Sequence, residues 1–149
     1  MNVGVFCTRD VVVIGRDATI LEAAKLMRRH HVGDVVVVEE RGNHTIPVGI
    51  LTDRDIVVEL LAKEVDLSKV SAGDVMSLDL HSAKEEDDLI ETMQLMRRRG
   101  IRRVPVVGAA GELIGIITLD DMIEVISEQM TDLVHLLGRE HQFERERRV

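Results

Sequence analysis

Two heptapeptides in this chain could do chemistry, and they carry the same residues. Gly49-Ile50-Leu51-Thr52-Asp53-Arg54-Asp55 and Gly115-Ile116-Ile117-Thr118-Leu119-Asp120-Asp121 share Gly-Ile-x-Thr-x-x-Asp. Each follows a Val/Ile-rich run and opens an apolar helical pattern, which places a hydroxyl and a carboxylate at a strand-to-helix junction. That is a place to hold a ribose and a phosphate. A helix N-terminus offers spare N–H groups and positive potential to a phosphate. A carboxylate one turn in can accept from both ribose hydroxyls, and Gly49 or Gly115 would let a ligand approach the backbone closely. The same residues have a second reading. Thr at N-cap with Asp at N3 resembles a capping box, which stabilises a helix start without any ligand. The two readings are compatible, and two copies in units of matched order favour the ligand.

Other candidate chemistry is thin. Six histidines (His30, His31, His44, His81, His135, His141) contain no His-Glu-x-x-His arrangement and flank no cysteine pair, so they read as surface histidines with no metal expected. Cys7 is the single cysteine, has no evident His-Asp partner and allows no internal disulfide. No Gly-x-Ser-x-Gly elbow is present, and no catalytic residue is assigned.

The elements that must position the motifs also come twice. Leu26-Met27-Arg28-Arg29 recurs as Leu95-Met96-Arg97-Arg98, 69 positions on, whereas the Gly-Ile-x-Thr motifs recur 66 positions on. The difference falls in a turn, Glu39–His44 against Gly108–Gly111, where insertion is tolerated. The first unit reads as strand Val11–Ile14, a helix capped by Asp17 and running to about His30 with Ile20, Ala24 and Met27 on one face, strand Val35–Glu39, strand Thr45–Leu51 and helix Asp53–Ala62. Pro47 makes the last of these strands an edge or irregular there. The second reads as strand Leu80–Ala83, helix Asp88–Arg99, strand Arg103–Val107, strand Leu113–Ile117 and a helix from Leu119. Lys63–Asp74 is the polar connection. Each β-α-β-β-α unit is too small to close a core alone. The expected fold is therefore α+β, two repeats packed sheet to sheet with pseudo-twofold symmetry. The boundaries are 6–64 for the first repeat, 71–130 for the second and 131–149 for a helical extension and charged, frayed tail.

Composition narrows the function classes. Hydrophobic residues make up 45% and aromatics 1%, Phe6 and Phe143 only, so the core is aliphatic and no base-stacking platform exists. The net charge of −8 argues against a duplex-binding face. The basic run Arg97-Arg98-Arg99 with Arg102-Arg103 could meet nucleic acid. It reads better as the positive end of a helix, complementing the dipole. No apolar run reaches membrane-span length and no signal peptide is visible, so no membrane partner and a cytoplasmic location are expected.

From about Phe6 to Gln129 the chain resembles a tandem pair of cystathionine β-synthase (CBS) domains, a Bateman module. Asp74-Val75-Met76, Gly100-Ile101-Arg102-Arg103-Val104-Pro105-Val106-Val107 and the two Gly-Ile-x-Thr-x-x-Asp motifs carry the resemblance. It implies a non-catalytic module that holds an adenosyl ligand (AMP, ADP, ATP, S-adenosylmethionine or NAD) in clefts between the repeats, AMP or ATP foremost, and signals to an unidentified regulated protein. It places Asp55 and Asp121 on ribose hydroxyls and Thr52 and Thr118 by the ribose-phosphate. Arg103-Val104-Pro105 would present backbone to the adenine edge, with Asp34-Val35-Val36 as the counterpart that lacks the basic residue and the proline. Val12 and His81 would line the base pocket. Arg54 in the first motif would draw polyphosphate, Asp120 in the second would repel it, and Arg102 and Arg103 would offset that at the second cleft. The alternative is a ligand-independent dimerisation scaffold with vestigial clefts.

Surplus apolar residues point to self-association. Ile56, Val57, Val58, Leu60 and Leu61 after the first motif, and Met122, Ile123, Val125 and Ile126 after the second, occupy more than one helix face. Met122, Ile126, Met130, Leu133 and Leu137 extend a stripe to Gly138. That stripe either packs on its own domain or meets another subunit. The expected assembly is a homodimer of two modules packed through these helices.

Overall fold

The computed structural model describes residues 1–148, and Val149 lies outside the described residues. It contains two three-stranded sheets of one topology. In the first repeat β1 (Val13–Gly15) lies parallel to β2 (Asp34–Arg41), and β2 pairs antiparallel with β3 (His44–Thr52). In the second, β4 (Ala83–Lys84) lies parallel to β5 (Arg103–Val107), which pairs antiparallel with β6 (Leu113–Thr118). The register shifts at Val37/Val38 and at Val106/Val107, the same place in each repeat. Pro47 falls just beyond the first shift, on an edge strand, where a missing N–H costs no ladder bond.

Helices α2 (Ile20–His30) and α5 (Leu89–Arg99) cover the sheets. Their starts differ from the expectation for α2. Thr19, not Asp17, is the N-cap, because Thr19 and Glu22 close a reciprocal capping box that Asp17 cannot. The buried face is correspondingly Ile20, Ala23 and Met27, with Ala24 turned half outward. Both helices end on a left-handed residue, His31 (φ 53°) and Gly100 (φ 65°), at equivalent positions. Gly100 adopts that conformation freely, while His31 carries a Cβ into it.

The short helices α1 (Val3–Phe6) and α4 (Ala72–Val75) cross over. Val3 is buried among Ala83, Leu89, Val104 and Ile117 of the second repeat, with Phe6 against that cluster. Ala72 and Met76 are buried in the first repeat's core. The segment ahead of each repeat thus completes the other repeat's core, and a cut between 64 and 71 would not separate two cores. Nor is Lys63–Asp74 simply polar, since Val65, Leu67 and Val70 pack on the first core. Isolated bridges Thr8–Ile116 and Ser77–Ile50 tie each crossover to the other sheet's edge, again at matched positions. Val36 and Val38 of the first sheet meet Ile116 of the second, flanked by Val11 and Leu113, in a separate cluster between the sheets.

After the motifs the repeats diverge. Asp53–Asp55 forms a single turn, α3, that widens into a π-helix over Ile56–Leu61, with the Ala62 N–H donating to the Val57 carbonyl. The helix after the second motif, α6 (Leu119–Arg147), runs 29 residues as ordinary α-helix, so the expected fraying from Arg139 is not seen. Only Met122 and Val125 of α6 are buried, and every residue from Ile126 to Arg148 is exposed.

Candidate functional site between the repeats

Each Thr/Asp motif closes a capping box. The Thr52 N–H donates to Asp55 Oδ2 at 3.0 Å while the Asp55 N–H donates to Thr52 Oγ1 at 3.1 Å. The Thr118–Asp121 pair repeats this at 2.9 and 3.2 Å. One oxygen of each carboxylate is therefore committed to the helix start, and among the described residues the Oδ1 atoms of Asp55 and Asp121 have no hydrogen-bond partner. Each motif is also tied to its neighbouring strand entry, by Asp53 N–H to the Gly33 carbonyl at 2.9 Å and Leu119 N–H to the Arg102 carbonyl at 2.8 Å.

The first motif opens onto a cleft of about 400 Å³. Thr52, Arg54 and Asp55 form one wall; Ser77, Asp79, Leu80 and His81 of the crossover, with Gly100 to Arg103 of the second repeat, form the others. The second motif faces a smaller cleft of about 270 Å³, where Thr118 and Asp120 oppose His31, Val32, Gly33 and Asp34. These walls are the first cleft's walls shifted to the other repeat. Arg102 and Arg103 line both clefts, whereas the sequence placed them at the second alone.

Not every sequence candidate reaches a cleft. Asp121 is half-buried at its capping box and is not on the second cleft's wall. Val35, Val104 and Pro105 are buried in the sheets, and Val12 packs half-buried on the first core. Gly49 and Gly115 have a different purpose from the one expected. A Cβ on Gly49 would stand 2.5 Å from Met76 Sδ and 2.9 Å from the Ser77 carbonyl, and one on Gly115 would stand 2.7 Å from the Thr8 carbonyl. The backbone they admit is the chain's own crossover, not a ligand.

Pro105 explains an asymmetry between the clefts. In the first repeat the Val36 N–H donates to the Val12 carbonyl at 3.0 Å, and β1 pairs over three residues. At the matched position Pro105 has no N–H, so the His81 carbonyl cannot be held that way and β4 pairs over two residues. His81 consequently belongs to the cleft wall; its Nε2 is buried without a hydrogen bond, 3.5 Å from Asp79 Oδ1.

One ion pair at the site is largely buried. Arg103 Nη1 lies 2.9 Å from Asp34 Oδ1, both side chains largely buried, and these residues occupy matched positions of the two repeats. Burial pushes the Asp34 carboxyl above the ordinary range, partly opposed by Arg103 and reinforced by Asp53. Arg97, Arg98 and Arg99 sit apart, in the last turn of α5, where they complement its dipole. Cys7 donates to the Gly4 carbonyl and burial raises its thiol, the opposite of an activated nucleophile. Residues missed from sequence, Ser77, Asp79, Ile101 and Gly33 among them, lie beside the candidates; only Gly33, which stands 69 positions before Arg102, carried a signal in the repeat.

Two α+β repeats with clefts between them define a class, and comparison with known proteins agrees. The CBS domain family matches residues 3–62 and 72–128, and the chain belongs to it as a tandem pair. It is 37% identical over 125 residues to an uncharacterized protein of Methanopyrus kandleri, covering 84% of this chain but 62% of that protein, so it spans less than two thirds of that relative. The fold matches a CBS domain protein of Pyrobaculum aerophilum complexed with AMP at TM-score 0.73 and 27% identity, over 81% of this chain and 89% of that one. It also matches a CBS domain pair in complex with 5'-methylthioadenosine and S-adenosyl-L-methionine at TM-score 0.75 and 25% identity, over 87% and 98%. No helix among the described residues is long and apolar enough to cross a membrane.

Proposed function

We propose that this protein is a non-catalytic regulatory module that binds an adenine nucleotide of the AMP, ADP or ATP class between its repeats and presents the resulting arrangement to a partner protein. The observation that carries this reading is the first cleft, where a carboxylate with an unpartnered Oδ1 and a helix N-terminus from one repeat face His81, Arg102 and Arg103 from the other. A ligand touching both repeats stabilises one arrangement only to the extent that it binds that arrangement better. The AMP and S-adenosylmethionine complexes of similar proteins support the ligand class. The protein works in the cytoplasm as a homodimer, with Val57, Val58, Leu61, Ile123 and Ile126, all exposed on the helices after the motifs, as the contact face.

A second reading is a scaffold whose clefts are vestigial. The completed capping boxes favour it, because they account for Thr52, Asp55, Thr118 and Asp121 without a ligand. Thermal unfolding with AMP, ADP, ATP, S-adenosylmethionine and adenosine separates the two. A ligand at 100 times its Kd adds about 2.7 kcal/mol and raises Tm. No shift with any of the five, from a chain that is dimeric throughout, would establish the scaffold.

A further inference from the structure

We propose that Arg103 and Asp34 couple the two clefts negatively for anionic ligands: an anion in the first cleft draws Arg103 away from Asp34, and the released carboxylate opposes an anion in the second. This rests on the clefts binding nucleotides.

One side chain is shared by the two clefts. Arg103 lines both clefts, whereas Asp34 lines the second cleft only. Arg103 Nη1 is buried, and although it stands 2.9 Å from Asp34 Oδ1 it lacks hydrogen-bond geometry there. The guanidinium is thus held by charge and left with unused donors. A phosphate accepts two parallel N–H bonds from such a fork and is a better partner than a poorly aligned carboxylate. Once Arg103 turns to a phosphate in the first cleft, Asp34 loses its counter-ion on the wall of the second. Asp120 already stands on that wall, so the second cleft then holds two carboxylates against an incoming anion. Exposed Arg102 borders both clefts as well, but among the described residues no ion pair fixes it to either. Coupling of binding free energies is reciprocal, so an anion in the second cleft weakens the first by the same factor. A neutral nucleoside exerts no such pull on Arg103.

Calorimetry of the full chain at pH 8, with AMP and with adenosine, tests this in wild type, Asp34→Asn and Arg103→Gln. In wild type the ratio of second-site to first-site Kd is expected to be at least about 5-fold larger for AMP than for adenosine. Asp34→Asn, which removes the released charge, should lower the AMP ratio to the part that Arg54 and Asp120 set. Asp34→Ser removes the same charge and serves if Asp34→Asn does not fold, whereas Arg103→Gln leaves Asp34 without its counter-ion throughout and should keep the AMP ratio high while weakening AMP at both sites. Equal ratios for AMP and adenosine in wild type overturn the coupling alone, as does an AMP ratio that neither Asp34 variant lowers. One AMP site in wild type supports it only if Asp34→Asn opens a second; one site in both proteins overturns it. Absence of binding by either ligand removes the nucleotide reading and the coupling together.

Discussion

Gly115 lies against Thr8 so closely that a Cβ there would stand 2.7 Å from the Thr8 carbonyl oxygen. That carbonyl accepts the Ile116 N–H at 2.8 Å, and the Ile116 carbonyl accepts the Thr8 N–H at 2.9 Å. The glycine therefore makes room for a two-bond splice between the crossover and the far sheet. Gly49 makes room for the matched bridge at Ser77, whose N–H donates to the Ile50 carbonyl at 3.0 Å.

Gly115→Ala should destabilise the fold by about 1–3 kcal/mol through overpacking, because the Thr8 backbone, tied to Ile116 through both its N–H and its carbonyl, cannot step aside. Gly49→Ala should cost about as much, since the Ser77 carbonyl at 2.9 Å and the core residue Met76 at 2.5 Å both stand in the way. Gly15→Ala is the control, having no atom within 4 Å of the added Cβ. Urea unfolding checks the order; Gly115→Ala matching Gly15→Ala would refute it.

Removal of the motif carboxylate should separate its two tasks. Asp55→Ala should lose about 1 kcal/mol of stability with the cap and about 1.5–3 kcal/mol of AMP affinity with the charge-assisted bond. Asp55→Asn keeps an acceptor for the Thr52 N–H and should recover most of the stability but not the affinity. Calorimetry beside thermal melting reads both, and unchanged AMP affinity in both Asp55→Ala and Asp121→Ala would end the ribose assignment.

Arg54 is exposed on the wall of the first cleft. Arg54→Ala should lower ATP affinity more than adenosine affinity, with the gap narrowing as salt rises, because an exposed charge is screened over about 10 Å at 0.1 M. Equal losses for the two ligands, independent of salt, would show that the side chain acts by shape.

Acid should favour the native state through Asp34. Its folded pKa lies above its unfolded value of about 3.8, burial being the first cause. The native state therefore holds the proton more tightly between those two values. Stability from this group rises as pH falls through the window just above 3.8 and is lost as pH rises through the folded pKa. The unfolding free energy of wild type minus that of Asp34→Asn should increase on acidification through that window. A difference that is flat or falling with acid would contradict the assignment.

Ile126, Met130, Leu133 and Leu137 are all exposed on α6, at spacings of four, three and four. Replacing Ile126 and Met130 by Glu should convert a dimer to monomer while leaving the melting of the sheets nearly unchanged, since neither residue is packed in the described chain. Light scattering at tens of micromolar checks this. A wild-type chain that is monomeric with and without AMP would show that α6 has no role in self-association.

The repeat, the strand order and both Thr-x-x-Asp helix starts were legible in the sequence because they rest on local information. Continuous Val/Ile runs, an N-cap hydroxyl with its carboxylate three residues on, and turn glycines act over a few residues. The 69-residue offset carried those signals from one repeat to the other. Even Arg103–Val107 and the turn at Gly108–Gly111 follow from that local pattern.

What the sequence left undecided is where chemistry meets chemistry across the pseudo-twofold axis. That α1 completes the second core, that Gly49 and Gly115 face the crossovers, and that Arg103 meets Asp34 are consequences of exchanging short segments between repeats. A residue type announces its own backbone preference but not which distant wall it will face. Two similar motifs therefore sit in unequal clefts, and one difference lies outside both: Pro105 offers no N–H where Val36 does, leaving the His81 carbonyl unheld while the Val12 carbonyl stays bound in its sheet.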